Sequence, residues 1–308
     1  MNNFNLKDSF IYSILITLWL FTMKYDYETI KFYLQDNGIG ILTLNRQDKL
    51  NAVSFQMIED LHSMMDHLMT NLNCRVVILK AEGKVFCAGL DLKESTVLQT
   101  KKKPQELKEK FFYIDTPEKD IIKAKLYAQW HTSQIIIKMR KISQPIIALI
   151  NGAASGLGFA YVLASDIRIA SSKARFNNAF INVGFSGSDM ASSYHLPRLI
   201  GMSRAAEILY TGRFIEADEA EKIGLVSRVV KEEALLDEGL KLAEELLKKS
   251  PLGLRMTKHA INLSQNSPSI DTIMELENRA QMLCSSSSDL TEAVQAFFEK
   301  RDPKYPLK

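Results

Sequence analysis

The chain has 308 residues, of which 46% are apolar and 24% charged, enough for the core of one large or two small globular domains. Its formal net charge of +3 is too slight to argue for nucleic acid or an anionic membrane as partner. Three scattered cysteines, Cys74, Cys87 and Cys284, form no C-x-x-C pair; they point to neither a disulfide framework nor a zinc site, and fit a reducing compartment such as the cytoplasm.

The stretch 10–21 is apolar but interrupted by Ser13 and Thr17, and is shorter than the roughly 18 residues a membrane span needs. Lys7 gives it a signal-peptide look without a small-x-small cleavage site. Residues 1–22 are expected to be an extension or an upstream misread start, with a membrane anchor as the lesser alternative. Residues 30–34 and 39–44 then read as strands around the turn Asp36-Asn37-Gly38. Ser54 is placed to cap a helix whose Met57, Leu61, Met64, Met65 and Leu68 fall on one face, as core filling. Residues 75–80 read as the next strand.

Over 97–125 the character changes: Lys101-Lys102-Lys103-Pro104 and the charged run 106–110 are interrupted by Phe111-Phe112-Tyr113. Such a segment reads either as a lid, with basic residues able to meet the phosphates of a nucleotide ligand, or as a solvated insertion. Residues 126–141 read as a helix carrying Trp130 and His131, the latter as a packed residue. The apolar run 146–150 suits a fully buried strand. It stops at Asn151-Gly152, and Gly152, Gly156 and Gly158 lead into a helix with Phe159, Val162 and Leu163 at helical spacing. A glycine turn opening a helix aims unpaired N–H groups at whatever approaches it, which suits developing negative charge. The glycine order is the reverse of G-x-G-x-x-G, and Ala153 stands where a serine nucleophile elbow needs its first glycine. A strand follows at 166–170, then a helix at 204–210 ended by Gly212. From Ala217 onward the chain reads as nearly all helical, at 217–223, 232–248, 252–263 and 270–283, with a last helix carrying Phe297.

Four motifs in fixed order carry a resemblance. They are Asn45-Arg46 with Lys49-Leu50-Asn51-Ala52; Phe86-Cys87-Ala88-Gly89-Leu90-Asp91 through Glu94; the stretch 145–158; and 296–301, Ala-Phe-Phe-Glu-Lys-Arg. Together they resemble the crotonase superfamily, the enoyl-CoA hydratase/isomerase fold, over about residues 24–305. The resemblance implies an α/β spiral of repeated ββα units over 23–215 and a helical oligomerisation region over 216–308, built into homotrimers or dimers of trimers. Family members begin just before their first strand, where Met23-Lys24-Tyr25 stand. It further implies an acyl-CoA thioester as partner and substrate, coenzyme A as part of that substrate, no prosthetic group and no metal. By position in the motifs, the two backbone donors that hold the thioester oxygen fall on Leu90 and Leu157. Lys49, Ala88, Leu90, Asp91, Phe297 and Lys300 fall at the coenzyme A contacts.

The departures from the family pattern bear on the reaction. The two glutamates that hydratases use for proton transfer fall on Ala160 and Phe180, which argues against ordinary hydration. Asp189 falls where dienoyl-CoA isomerases and 4-chlorobenzoyl-CoA dehalogenase carry a catalytic carboxylate. The stretches 201–205 and 224–229 resemble the dehalogenase, but no tryptophan occurs in 181–188 and Ser133 stands where its histidine base would fall. Asp189 as a helix cap is the structural alternative. Two functions therefore stand: an enzyme of enolate chemistry led by Asp189, more a double-bond isomerase or lyase than a hydratase, or a catalytically silent acyl-CoA-binding or interaction subunit.

Overall fold

The computed structural model describes residues 27–99, 103–111, 113–114, 120–267 and 269–305. The expectations for residues 1–22, Met23, Lys101, Lys102 and Phe112 lie outside the described residues.

The first hairpin forms as its turn residues demand: β1 (Ile30–Leu34) pairs antiparallel with β2 (Ile39–Leu44), and the Asn37 side chain accepts from Ile39 N–H inside the turn. In α1 (Phe55–Thr70) the Ser54 hydroxyl accepts from Met57 N–H at 3.1 Å, and all five apolar positions named above are buried. Next come β3 (Val76–Ala81) and α2 (Gln105–Lys110). The following helix, α3 (Ile121–Lys141), starts before the expected Leu126, because its first turns expose Ile122 and Leu126 and so lack the periodicity of a buried face.

After α3 the chain alternates between two sheets. β4 (Ile146–Ile150) lies in the large sheet, β5 (Ala153–Ser155) in the small one, and α4 (Leu157–Ala164) returns the chain to β6 (Ile167–Ser171) in the large sheet. β7 (Arg175–Asn177), α5 (Ser192–Ile200), α6 (Met202–Thr211), β8 (Ile215–Glu216), α7 (Ala217–Lys222) and β9 (Arg228–Val230) continue the winding. The large sheet has the order β1-β2-β3-β4-β6-β9, parallel beyond the hairpin; the small sheet has the order β5-β7-β8. This two-sheet alternation is the expected strand–strand–helix spiral.

Both faces of the large sheet are covered, which is why its central strands read as continuous apolar runs. Val77, Leu79, Ile146, Ala148 and Ile150 join the core formed with α1, α3 and α4. Their alternates Val76, Ile78, Ile147, Leu149 and Ile169 pack against Leu235 and Ala243 of α8 (Leu235–Leu247). So part of the stretch read as a helical tail completes the core, and β9 within it is a strand that the sequence reading missed.

The last three helices are α9 (Pro251–Ser264), α10 (Ile270–Ser285) and α11 (Ser288–Glu299). Lys258 of α9 is 5% exposed and reaches Asp166 Oδ2 at 2.9 Å, the Gln144 carbonyl at 2.8 Å and the Met139 carbonyl at 3.2 Å. Asp166 also binds Arg140 at 2.8 Å and Ile146 N–H at 2.8 Å. Burial lowers the Lys258 pKa and the Asp166 carboxylate opposes that, so this paired, fully hydrogen-bonded cation fixes α9 to the ends of α3 and β4. Beyond it α10 and α11 expose Ile270, Met282, Phe297 and Phe298.

Candidate active site

Two turns are drawn together where the chain passes between the sheets. The 86–90 stretch bridges β5 through Cys87 and Ala154: Cys87 N–H donates to the Ala153 carbonyl at 3.1 Å, and Ser155 N–H to the Cys87 carbonyl at 2.9 Å. On its other side it bridges Val53 through Leu90, with Val53 N–H on the Gly89 carbonyl and Asp91 N–H on the Val53 carbonyl. Gly89 has a φ of +98°, and a Cβ there would stand 3.0 Å from the Ser155 carbonyl oxygen and 3.7 Å from Leu157 N. Only a residue without a side chain lets the two turns approach so closely.

Leu90 and Leu157 are therefore neighbours across this contact. Leu157 opens α4, so its N–H has no intrahelical acceptor. Among the described residues neither the Leu157 N–H nor the Leu90 N–H donates a hydrogen bond. Two bare donors on abutting turns, one at a helix N-terminus, can hold an oxygen that gathers negative charge. Their surroundings are apolar. Ala160 is buried one turn into α4, and the Phe180 ring lies 3.6 Å from where a Cβ of Gly156 would be. The buried Cys87 thiol has its pKa pushed up to about 12 by desolvation and is no nucleophile.

The Asn45–Ala52 motif acts as scaffolding. Buried Asn51 donates to the carbonyls of Glu82 and Val85 and accepts from Arg46 N–H. Ala88 N–H donates to the Leu50 carbonyl at 3.1 Å, which sets exposed Lys49 and exposed Ala88 on adjoining turns. The Asp91 carboxylate is taken up elsewhere: Arg46 binds it at 2.7 Å, and it caps the turn Leu92–Ser95 by accepting from Glu94 N–H. Burial raises its pKa, but the Arg46 hydrogen bond, the Glu94 N–H and the Arg46 charge outweigh that, and it rests below the usual range. Glu94 in turn accepts from Phe55 N–H at 2.9 Å, while burial pushes its carboxyl up. Sequence reading missed this chain of charges behind Leu90, although Arg46, Asp91 and Glu94 all lie within the quoted motifs.

Asp189 stands in the approach to α5, partly exposed. It is not the helix cap: the N-cap of α5 is Ala191, and no side chain caps it. Instead the carboxylate Oδ1 accepts from Met190 N–H at 2.8 Å and from Gln129 Nε2 of α3 at 2.6 Å. Gln129 carried no sequence signal. Phe297 and Lys300 are exposed at the end of α11, which is tied by Ser250 and Asp289 to the start of α9. No hydrogen bond or ring contact among the described residues joins them to the Leu90 and Leu157 turns.

The aromatic part of the expected lid is anchored. Phe111, Tyr113 and Ile114 are buried, with Phe111 and Tyr113 packed on Phe55 and Tyr113 also on Tyr127 and His131. His131 is the packed residue expected, stacked on His62 at 4.1 Å and bound to Glu59 at 2.9 Å. Among the described residues no group of three or more His, Cys, Asp or Glu is placed to hold a metal ion, and no helix is long and apolar enough to cross a membrane.

Comparison with known proteins converges on one family. The sequence profile of the enoyl-CoA hydratase/isomerase family matches residues 35–307. A Mycobacterium leprae protein named "Probable enoyl-CoA hydratase" is 34% identical over 265 residues, 85% of each chain. The 1,2-epoxyphenylacetyl-CoA isomerase of Escherichia coli is 30% identical over 270 residues, 88% of this chain and 95% of that one. Among solved structures, an enoyl-CoA hydratase from Bacillus anthracis superposes with a TM-score of 0.79 at 30% identity, over 91% of this chain and all of the other.

Proposed function

The chain belongs to the enoyl-CoA hydratase/isomerase family, and from that premise we propose that it is an enzyme of enolate chemistry on an acyl-CoA thioester, a double-bond isomerase rather than a standard hydratase. The observation that carries this reading is the pair of unpartnered N–H groups, Leu90 and Leu157, on turns held together at Gly89. They hold the thioester oxygen as it takes up charge; losing one such donor typically costs on the order of 10²–10³ in rate.

The resemblance puts the hydratase glutamates at Ala160 and Phe180, Asp91 is taken up by Arg46 and Glu94 by Phe55 N–H, and the carboxylate assigned to proton transfer is Asp189. It takes the proton at Cα of a 3-enoyl thioester, the electron pair delocalises onto the oxygen facing Leu90 and Leu157, and the same carboxylic acid returns the proton at C4. The double bond moves into conjugation, and the carboxylate is regenerated without a further reactant. The Escherichia coli relative, 30% identical, is itself named as an isomerase of a CoA compound, which supports an isomerase. Ala88 and Lys49 line the coenzyme A side, Phe297 and Lys300 are further coenzyme A contacts by resemblance, and the assembly is a homotrimer or dimer of trimers.

The missing acids also favour a second reading, a catalytically silent acyl-CoA-binding subunit. A thermal-shift screen of acyl-CoAs followed by product analysis separates the two. On the enzymatic reading Asp189→Asn still binds the ligands found but loses turnover. Full activity of Asp189→Asn, or crotonyl-CoA hydration at the rate of ordinary hydratases, would sink it.

A further inference from the structure

We infer that Gln129 is a positioning residue that fixes which oxygen of Asp189 moves the proton; the inference rests on the reading of Asp189 as the proton-transfer group. Both hydrogen bonds to the carboxylate fall on Oδ1, from Met190 N–H at 2.8 Å and Gln129 Nε2 at 2.6 Å. Among the described residues nothing donates to Oδ2. A carboxylate held this way has one oxygen tied down and one bare, and the bare one is the base.

The Gln129 bond is not needed to build the turn. That turn is already closed without it: Ser192 N–H donates to the Asp189 carbonyl at 2.9 Å, the Ser192 hydroxyl to the Gly187 carbonyl at 3.1 Å, and Asp189 N–H to the Ser192 hydroxyl at 3.3 Å. Gln129 is exposed on α3, so its bond to Asp189 adds little stability. What it adds is orientation, beside a turn with unusual backbone. Met190 and Ala191 are consecutive non-glycine residues in the left-handed region, at φ 48° and 60°. Conformations of this kind persist where surrounding structure holds them, and here buried Met190 and the Ser192 bonds do so. The turn presents the Met190 N–H to the carboxylate from beneath, and Gln129 reaches it from α3, a separate element.

During proton transfer Oδ2 receives the proton and Asp189 becomes neutral, so Oδ1 passes from carboxylate to carbonyl oxygen and keeps its two donors. The Gln129 amide therefore selects the rotamer that leaves Oδ2 free.

The test uses the full chain with trans-3-hexenoyl-CoA, followed by the absorbance of the conjugated product. Gln129→Met keeps the length and loses the donor; kcat is expected to fall about tenfold, the worth of one hydrogen bond to a charged group, with KM within about twofold. Gln129→Glu, which sets a second carboxylate against the first, falls further, and Gln129→Lys, which keeps a donor, retains more than Gln129→Met. Melting temperatures of all three stay with the parent, which a merely structural role would not allow. Unchanged kcat in Gln129→Met and Gln129→Glu, while Asp189→Asn abolishes turnover, overturns this inference alone. Turnover surviving in Asp189→Asn, or no turnover by the parent protein, overturns the reading beneath it and this inference with it.

Discussion

Gly158→Ala tests whether the approach of the two turns is what the site depends on. A Cβ at residue 158 would stand 2.5 Å from the Cys87 Cβ, 2.5 Å from the Cys87 carbonyl oxygen and 2.9 Å from its sulfur. The carbon–carbon distance is roughly 1 Å short of the ~3.5 Å of an ordinary contact. Neither obstacle can swing aside, because Cys87 is buried and its carbonyl accepts from Ser155 N–H at 2.9 Å in the bridge to β5. One methyl group therefore drives apart two segments of which one carries Leu157 immediately before residue 158 and the other carries Leu90 three residues beyond Cys87.

Overpacking of this kind costs about 1–3 kcal/mol in stability. The larger effect is on rate, since a misplacement of about 1 Å at a reacting centre costs on the order of 10²-fold. The assay pairs thermal unfolding with kcat for trans-3-hexenoyl-CoA. Gly201→Ala is the control: Gly201 has a φ of +84° and a ψ of 157° with nothing within 4 Å of a Cβ, so alanine there carries backbone strain of about 1–3 kcal/mol and no steric conflict. Turnover should survive in the control and collapse in Gly158→Ala, and Cys87→Gly, which removes two of the three clashing atoms, should restore part of it. Full turnover in Gly158→Ala would refute the dependence on the Leu90–Leu157 approach.

Two further outcomes follow from charge and from surface. Burial first, and then the charges of Arg140, Arg168 and Arg198, hold the His195 imidazole down to about 4, below its usual value of 6.5. On acidification the unfolded chain therefore takes up that proton first, and the stabilisation present above pH 6.5 is lost as pH falls towards 4, at up to about 1.4 kcal/mol per pH unit for this group. Urea midpoints between pH 6.5 and 5 should fall more steeply in the parent than in His195→Leu, and equal slopes would contradict the assignment. The exposed apolar residues of α10 and α11, Phe297 at 78% and Phe298 at 77% among them, should be covered by identical subunits. Light scattering at micromolar concentration is expected to give a trimer or hexamer, and a monomer would count against it.

What could be read from the sequence was what local chemistry controls. The Asn37-Gly38 turn, the Ser54 cap and the run 146–150 each state their structure within a few residues, and all formed where expected. The glycine turn announced bare N–H groups because only backbone close to backbone needs so many small residues. What was illegible depended on distant partners. β9 is only Arg228–Val230, too short for a periodic signal, and it becomes a strand because β6 offers an open edge. α8 reads as an ordinary amphipathic helix, and nothing local says that its face will lie on the back of the sheet. Gln129 is one polar residue on a helix, and its meaning arises only when α3 is laid beside the Asp189 turn.

This division follows from how the site separates its tasks. On the proposed reading an oxyanion is held by main-chain N–H groups, and any residue except proline supplies one, so leucine can serve at both positions. That task depends on the glycines that let the turns approach, Gly89 and Gly158. Moving a proton is assigned to side chains, which can be exchanged one at a time. On the proposed reading the carboxylate comes from another segment, at Asp189, which Gln129 of α3 binds. The family fold does not by itself name the reaction, so the proposal is tested at the Asp189–Gln129 pair rather than at the glycine motif that identifies the family.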